Sequence, residues 1–128
     1  MFKKLTPVLI VDSIEPLLPF WAQLGFEKTV EVPHEDRLGF VILRSSAVEL
    51  MLQTVDSVRA DEAGILEGRK AMGAGLLFIE VEDLDAVASR VPKGTDVIVQ
   101  RRTTFYGSTE MIVRDAAGNA VIFAQMPS

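Results

Sequence analysis

The chain of 128 residues contains no cysteine. Disulfide bonds, thiolate metal ligands and cysteine nucleophiles are therefore all excluded. Histidine is almost as rare, because His34 is the only one in the sequence. A metal site that needs two histidines therefore cannot be built within one chain.

Positive charge is also in short supply, with 13 lysines and arginines against 18 aspartates and glutamates and a formal net charge of -5. Nucleic-acid binding draws much of its affinity from clustered basic side chains, so no nucleic-acid partner is expected. The apolar run after Leu5 ends at Asp12 and is too short for a signal peptide or a membrane span. We therefore expect a cytoplasmic protein with no membrane partner.

The first half of the sequence predicts one strand, one helix and then three strands. Residues 5–11 (LTPVLIV) form a short β-branched run, and Asp12 and Ser13 are good N-caps for a helix over residues 14–24. Pro19 lies inside that helix, so a bent or late start is expected. Three strand-like runs follow, at residues 26–32, 38–44 and 48–53.

The same order of elements recurs in the second half of the chain. An apolar run at residues 76–81 is followed by Asp83, which caps a helix to about Arg90. Further strands are predicted at residues 97–102, 105–114 and 120–125. Val81 lies 70 residues after Val11, and Val121 lies 73 residues after Val48. An internal duplication explains this pattern, and a strand and cap shared by chance is the alternative.

Two connecting segments separate these elements. Residues 55–73 are charged and glycine-containing, and they are typical of a linker with one or two short helical turns. The sequence from Asp115 to Asn119 (DAAGN) predicts a tight hairpin turn, with aspartate at the start and Gly118 in the left-handed position. That turn is the sharpest local signal in the chain.

Four motifs in this order resemble the vicinal oxygen chelate superfamily of glyoxalases, bleomycin-resistance proteins and dioxygenases. They are the TPVLIVDS opening, the helix end FWAQLGF, the strand VELMLQ and the segment FYGSTEMIVRDAAGNAVIF. The resemblance spans nearly the whole chain. It implies an α+β fold in which two βαβββ modules, residues 1–54 and 74–128, are joined by a linker over 55–73 and form curled, half-open mixed sheets.

The resemblance also identifies where metal-dependent members of the superfamily hold their ion, on the first and last strand of each module. The first-strand positions fall at Thr6 and Leu76, and the last-strand positions fall at Glu49 and Ile122. Only Glu49 is a ligand of the expected kind. Divalent metal sites need about three or four donor atoms, so neither a catalytic metal nor another cofactor is expected.

Seven residues are candidates for contact with a small ligand. Glu49 either faces solvent or faces the pocket that the fold implies. His34 is a solvated turn residue, a residue at the pocket rim of a dimer, or a general base. The remaining candidates are apolar or aromatic side chains that suit a ligand pocket and charged residues that share strand parity with Tyr106: Phe40, Met51, Tyr106, Glu110 and Arg114.

The favoured hypothesis is a binding protein without catalytic residues, similar to the bleomycin-resistance proteins and their role in antibiotic resistance. It would be a homodimer that sequesters an apolar or cationic small molecule. The first alternative is a metal-dependent lyase, isomerase or dioxygenase that uses Glu49 with donors such as the partner's His34. The second is a structural or regulatory module with a filled core. Arg101 and Arg102 are adjacent at the end of a predicted strand. We interpret them as part of a solvated surface, and an anion-binding site is the alternative.

Overall fold

A computed structural model describes residues 1–67 and 74–128. The chain divides into two compact units, Met1–Gly73 and Ala74–Ser128. Each unit contains one four-stranded mixed sheet and short helices, so the predicted α+β fold with two βαβββ modules is confirmed. No helix in the described ranges combines the length and the apolar character needed to cross a membrane.

The sheet of the first unit has the strand order β1-β4-β3-β2. Strand β1 runs parallel to β4, whereas the β4–β3 and β3–β2 pairs are antiparallel. The strands are Val8–Val11 (β1), Glu27–His34 (β2), Arg37–Ser45 (β3) and Val48–Thr54 (β4).

The helical segment after β1 begins late, as the proline pattern predicts. A 3-10 turn over Glu15–Leu17 comes first, and helix α1 follows at Leu18–Gln23. Pro16 and Pro19 each lie in the first turn of their own segment, where a missing N–H group leaves no hydrogen bond unmade. One continuous helix would place Pro19 in its interior, so the chain forms two short segments instead.

The segment predicted as a linker contains a second helix, α2, at Val55–Glu62. The Thr54 hydroxyl caps it by accepting the Ser57 N–H at 3.1 Å. Only Val58 of this helix is buried, so the sequence lacks the apolar stripe that identifies an amphipathic helix. A 3-10 turn follows at Ala63–Ile65, and residues 68–73 of the predicted linker lie outside the described ranges.

The sheet of the second unit repeats the first, with the strand order β5-β8-β7-β6. The Asp83 carboxylate caps helix α3 by accepting the Ala86 N–H at 3.2 Å, as predicted. The elements are Leu76–Glu80 (β5), Leu84–Arg90 (α3), Asp96–Thr103 (β6), Thr109–Arg114 (β7) and Ala120–Gln125 (β8).

Strand β7 is shorter than the sequence predicts. A strand over residues 105–114 was expected, but residues 104–108 form a turn in which Thr104 N–H donates to Ser108 O and Gly107 N–H donates to Thr104 O, both at 2.9 Å. Gly107 has a φ of 89°, a left-handed conformation that interrupts a strand. The aromatic residues before Gly107 suit a strand equally well, which is why the prediction was wrong there.

One face of the first sheet contributes the core of its unit. Its side chains are at most 7% exposed, and the buried residues of the helical segment include Phe20 and Trp21. The Trp21 ring meets Phe20 and Phe26 edge to face, and its Nε1 has no hydrogen-bond partner among the described residues. The core residues of this sheet face are Leu9, Val11, Val41, Leu43, Leu50 and Leu52.

Pairing registers show how the two halves correspond. Phe78 is the counterpart of Val8, at the offset of 70 that also relates Val81 to Val11. Val8 lies opposite Met51 in the first sheet, and Phe78 lies opposite Ile122 in the second. The counterpart of Ile122 is therefore Met51, and the counterpart of Glu49 is Ala120. The predicted offset of 73 between the last strands is wrong by two residues. A shift of two preserves the alternation of a strand, so apolar periodicity alone could not detect it.

Candidate ligand-binding faces

The first sheet has a second face, called here the first open face, that is less buried than the core face. Strand pairing puts Phe40 opposite Gln53, and Met51 opposite Ile42, so Phe40 and Met51 share this face. Most of its side chains are apolar and partly exposed. Its residues include Val8, Ile10, Glu27, Val30, Val32, Phe40, Ile42, Arg44, Glu49, Met51 and Gln53.

Glu49 is a partly buried carboxylate on the first open face. Its Oε1 accepts a hydrogen bond from the Lys4 ammonium group at 2.6 Å and a long one from the Thr6 hydroxyl at 3.5 Å. The Glu49 side chain is 14% exposed, whereas that of Lys4 is 53% exposed. The hydrogen bond from Lys4 is the main reason that the pKa of Glu49 lies below its ordinary value, although partial burial opposes this effect. Glu49 therefore binds an ammonium group as an ionised carboxylate.

His34 lies elsewhere in the first unit. It ends β2, and it lines a cleft of about 400 Å³ together with Glu35, Asp56, Arg59 and Ala60. None of these residues belongs to the first open face. The His34 Cβ lies close to Gly39, where an added Cβ would come within 2.5 Å of it. The structure therefore does not bring His34 and Glu49 of one chain together.

The second sheet has an equivalent face, called here the second open face. Leu76 and Phe78, at the β5 edge, are the most exposed apolar side chains on it. Glu110 lies in the middle of the sheet, directly opposite Arg102 of β6. The residues of this face include Leu76, Phe78, Glu80, Val99, Arg102, Glu110, Ile112, Arg114, Ala120, Ile122 and Ala124.

Glu110 is almost completely buried, with 1% exposure. Its Oε1 accepts Arg102 Nε at 3.0 Å and Nη2 at 2.9 Å. Its Oε2 accepts the Ser108 hydroxyl at 2.8 Å and the Tyr106 hydroxyl at 3.1 Å. Burial favours the neutral acid, but these hydrogen bonds outweigh it, so the pKa of Glu110 lies below its ordinary value. We call Arg102, Tyr106, Ser108 and Glu110 the carboxylate cluster.

Two of the predicted residues of the second unit meet, and one does not. Tyr106 contacts Glu110 as expected, but it does so from the turn over residues 104–108 and not from a strand. Arg114 lies at the opposite end of β7, where its Nη1 donates to Asp96 at 2.8 Å. Shared strand parity put Arg114 on the same face as Glu110 but did not place the two side chains in contact.

No role was predicted for Ser108 or Lys4, and Arg102 was predicted to lie on a solvated surface. Strand β6 has register irregularities on both sides of Val99, so counting residues could not show that Arg102 lies opposite Glu110. Ser108 lies two residues before Glu110, and this spacing was the one available signal. Lys4 precedes the first strand in an irregular segment, where no pattern predicts a contact.

The donor atoms do not fit the divalent ion that the family resemblance implies. Thr6 and Glu49 provide one hydroxyl and one carboxylate in the first unit. The equivalent positions of the second unit, Leu76 with Ala120 or Ile122, are aliphatic. Across residues 1–67 and 74–128, no three His, Cys, Asp or Glu side chains are grouped so that they could hold a metal ion. Such sites need about three or four donors.

Comparison with protein families gives one clear match. The model of the Glyoxalase/Bleomycin resistance protein/Dioxygenase superfamily matches residues 5–123. No curated protein matches the chain. The family match therefore extends over both units and both open faces.

Solved structures similar to this chain cover nearly its whole length. TioX from Micromonospora sp. ML1 is 16% identical with a TM-score of 0.74, covering 97% of this chain and 100% of its own. A lactoylglutathione lyase from Agrobacterium tumefaciens is 20% identical with a TM-score of 0.75, covering 96% and 92%. A bleomycin-binding protein complexed with bleomycin is 13% identical with a TM-score of 0.69, covering 98% and 100%. At these identities the similarity shows a shared fold.

Proposed function

We propose that this chain, which belongs to the glyoxalase/bleomycin resistance protein/dioxygenase superfamily, binds a small, largely apolar molecule that carries a cationic group. The observation that supports this most directly is the contact between Glu49 and Lys4. A carboxylate on an apolar, partly exposed face already holds an ammonium group there, at 2.6 Å. Binding of this kind needs no catalytic metal.

The surroundings of Glu49 suit such a ligand. Met51 lies two residues further along β4, and Ile42 lies opposite Met51 on the same face. Small-molecule sites combine apolar walls with a few polar groups that orient the ligand. Glu49 Oε2 accepts no hydrogen bond from a described residue, so a ligand ammonium or hydroxyl group has an acceptor available there.

Lys4 can be exchanged for a ligand cation at little cost. It lies before β1 in an irregular segment, and its side chain is more than half exposed. Ion pairs formed by exposed lysines contribute little to stability, because solvent screens them and the long side chain loses freedom. The ammonium group of Lys4 therefore represents the ligand group that Glu49 would bind.

Two naphthalene derivatives, one cationic and one neutral, test this proposal by isothermal titration calorimetry. We expect 2-naphthylmethylamine to bind about tenfold more tightly than the neutral 2-naphthalenemethanol, since a hydrogen bond to a charged group has about this effect. Glu49→Gln should remove the preference, and Lys4→Ala should strengthen binding of the amine because its competitor is gone.

Glu31→Gln is the matched control for Glu49→Gln. Glu31 also pairs with a lysine, Lys28, at 2.8 Å, but it lies on the edge strand β2 opposite Val41 of the core face. Its loss should leave both affinities unchanged. Equal binding of the amine and the alcohol, or equal losses in Glu31→Gln and Glu49→Gln, would refute a specific role of Glu49.

We propose that the chain forms a cytoplasmic homodimer and sequesters its ligand, as the resemblance to bleomycin-resistance proteins implies. The similarity to a bleomycin-binding protein supports a sequestering role. Static light scattering should give twice the chain mass of 14.0 kDa, and a value near one chain mass would exclude the dimer.

A second candidate function is a metal-dependent lyase, isomerase or dioxygenase. The observation in its favour is the structural similarity to a lactoylglutathione lyase. Elemental analysis of protein purified without added metal separates the two candidates. About one metal ion per chain, lost in Glu49→Ala, would favour the enzyme, whereas metal-free protein that binds the amine would favour the binding protein.

A further inference from the structure

Arg102 differs from the other arginines of the second unit in how its guanidinium is held. Nε and Nη2 both donate to the single oxygen Oε1 of the buried Glu110. Nη1 donates to no acceptor among the described residues, and the Arg102 side chain is 48% exposed. One end of the guanidinium is therefore fixed, and the other end keeps free N–H donors.

Glu110 itself has no capacity left for a ligand. A carboxylate has about four lone-pair positions. Arg102 takes two of them, and the hydroxyls of Tyr106 and Ser108 take the other two. Glu110 is therefore a positioning residue that fixes Arg102 before any ligand arrives. A guanidinium held in this way loses less conformational freedom when it binds.

An aromatic pair is held at the carboxylate that also binds this guanidinium. Tyr106 donates its hydroxyl to the same carboxylate, and its ring meets the Phe105 ring edge to face at 5.0 Å. The Phe105 side chain is completely exposed, although the turn that carries it is closed by hydrogen bonds between Thr104 and Ser108. A fully exposed aromatic ring on an ordered turn is available to pack against an apolar ligand.

We infer that Arg102 Nη1 and the Phe105–Tyr106 pair form a binding site for an organic anion, an aromatic or aliphatic carboxylate. The ligand carboxylate accepts hydrogen bonds from Nη1, and its apolar body packs against the two rings. Because Glu110 neutralises the charge of Arg102, affinity comes from short directed contacts and depends only weakly on salt. The site lies in the second unit and takes the opposite charge from the Glu49 site, so it does not depend on the proposed function.

The experiment compares 2-naphthoate with the neutral 2-naphthalenemethanol on the full chain, by isothermal titration calorimetry. We expect the carboxylate to bind about tenfold more tightly, since a charge-assisted hydrogen bond has roughly this effect. The preference should persist when the ionic strength is raised. Equal affinity for the two probes would overturn the inference, and so would a preference that disappears with salt.

Two variants test the residue assignment. Arg102→Gln should abolish the preference for 2-naphthoate. It also leaves the buried Glu110 carboxylate without its counter-ion, which destabilises the folded chain. The double variant Arg102→Gln/Glu110→Gln removes both charges and avoids this problem. It should bind both probes equally, with an unchanged far-ultraviolet circular dichroism spectrum. A double variant that keeps the preference would overturn the inference.

Arg101→Gln is the matched control. Arg101 is the neighbour of Arg102 on β6, its side chain is 52% exposed, and its Nη1 donates to the exposed Asp85 at 2.8 Å. The control should keep the preference for 2-naphthoate. Equal losses in Arg101→Gln and in the double variant would show unspecific attraction to surface charge.

Phe105→Ser, at a fully exposed position, should weaken the binding of both probes by a similar factor, and an unchanged affinity would overturn the role of the aromatic pair.

Discussion

The two open faces have the same strand order and nearly the same pairing register, but their polar side chains differ. Where Phe40 lies opposite Val32 in the first sheet, Glu110 lies opposite Arg102 in the second. Glu49, in turn, has Ala120 as its counterpart. Glu49 and Glu110 therefore lie at different positions of their open faces.

The position of each carboxylate determines which groups bind it. Glu110 lies next to the turn over residues 104–108, which provides two hydroxyl donors, and opposite an arginine. Glu49 lies near the start of β4, where an irregular segment before β1 provides one lysine. A duplicated backbone thus holds one carboxylate with every acceptor position filled and one that keeps acceptor capacity. Only the second kind is suited to bind a ligand cation.

The largest expected effect comes from replacing the two counterparts by the same residue. Glu110→Leu leaves the buried Ser108 hydroxyl, Tyr106 and Arg102 without their acceptor, so we expect it to lower the free energy of unfolding by about 3 kcal/mol. Phe40→Leu keeps an apolar side chain and should cost about 1 kcal/mol. Urea unfolding at pH 7, followed by circular dichroism, measures both. Equal losses would mean that the carboxylate cluster contributes no more than an apolar contact.

A transplanted pair gives a smaller effect. Phe40→Glu puts an unpaired carboxylate on the first open face, which should cost about 2 kcal/mol. Adding Val32→Arg places an arginine opposite it, as in the second sheet, and should recover about 1 kcal/mol. The same unfolding measurement applies, with Val32→Arg alone as the control. A double variant no more stable than Phe40→Glu would show that the register alone cannot reproduce the pair.

The smallest expected effect is the change in stability at acidic pH. The pKa of Glu110 in the folded chain lies below the ordinary value of 4.5, so its ionised form contributes stability that is present above about pH 4.5 and lost as the pH falls through the lower, folded value. The difference in unfolding free energy between the wild type and Glu110→Gln should therefore be constant near neutral pH and shrink in acid. Glu49→Gln should follow the same direction more weakly, because Lys4 is exposed. A difference that grows in acid would contradict this sign.

The sequence was sufficient for the order of elements because each signal is local. Asp83 caps its helix, Pro19 delays α1, and Asp115 accepts the Ala117 and Asn119 N–H groups at 2.9 and 2.8 Å in the predicted turn. Such signals depend on neighbours within about four residues, and a sequence displays those directly.

The site was harder to predict because it depends on pairing between strands. Glu110, Tyr106, Phe40 and Met51 were recognised as candidates, but the sequence could not show which groups they meet. The contact between Arg102 and Glu110 depends on irregularities in β6, and the equivalence of Glu49 with Ala120 depends on a shift of two residues. The irregularities in β6 change which of its residues share a face, and the shift of two keeps the alternation of the last strand, so neither position can be found by counting residues along an apolar pattern.

Trp21, the single tryptophan, is fully buried in the first unit, and its indole nitrogen has no hydrogen-bond partner in the part of the chain that the structure describes. Its emission belongs to a water-free environment and will shift to longer wavelength only when the first unit opens. Ellipticity in the far ultraviolet, in contrast, averages over both sheets. The chain therefore carries an intrinsic optical probe for one half of a duplicated fold, and the interval between the two denaturation midpoints measures how strongly the halves cooperate.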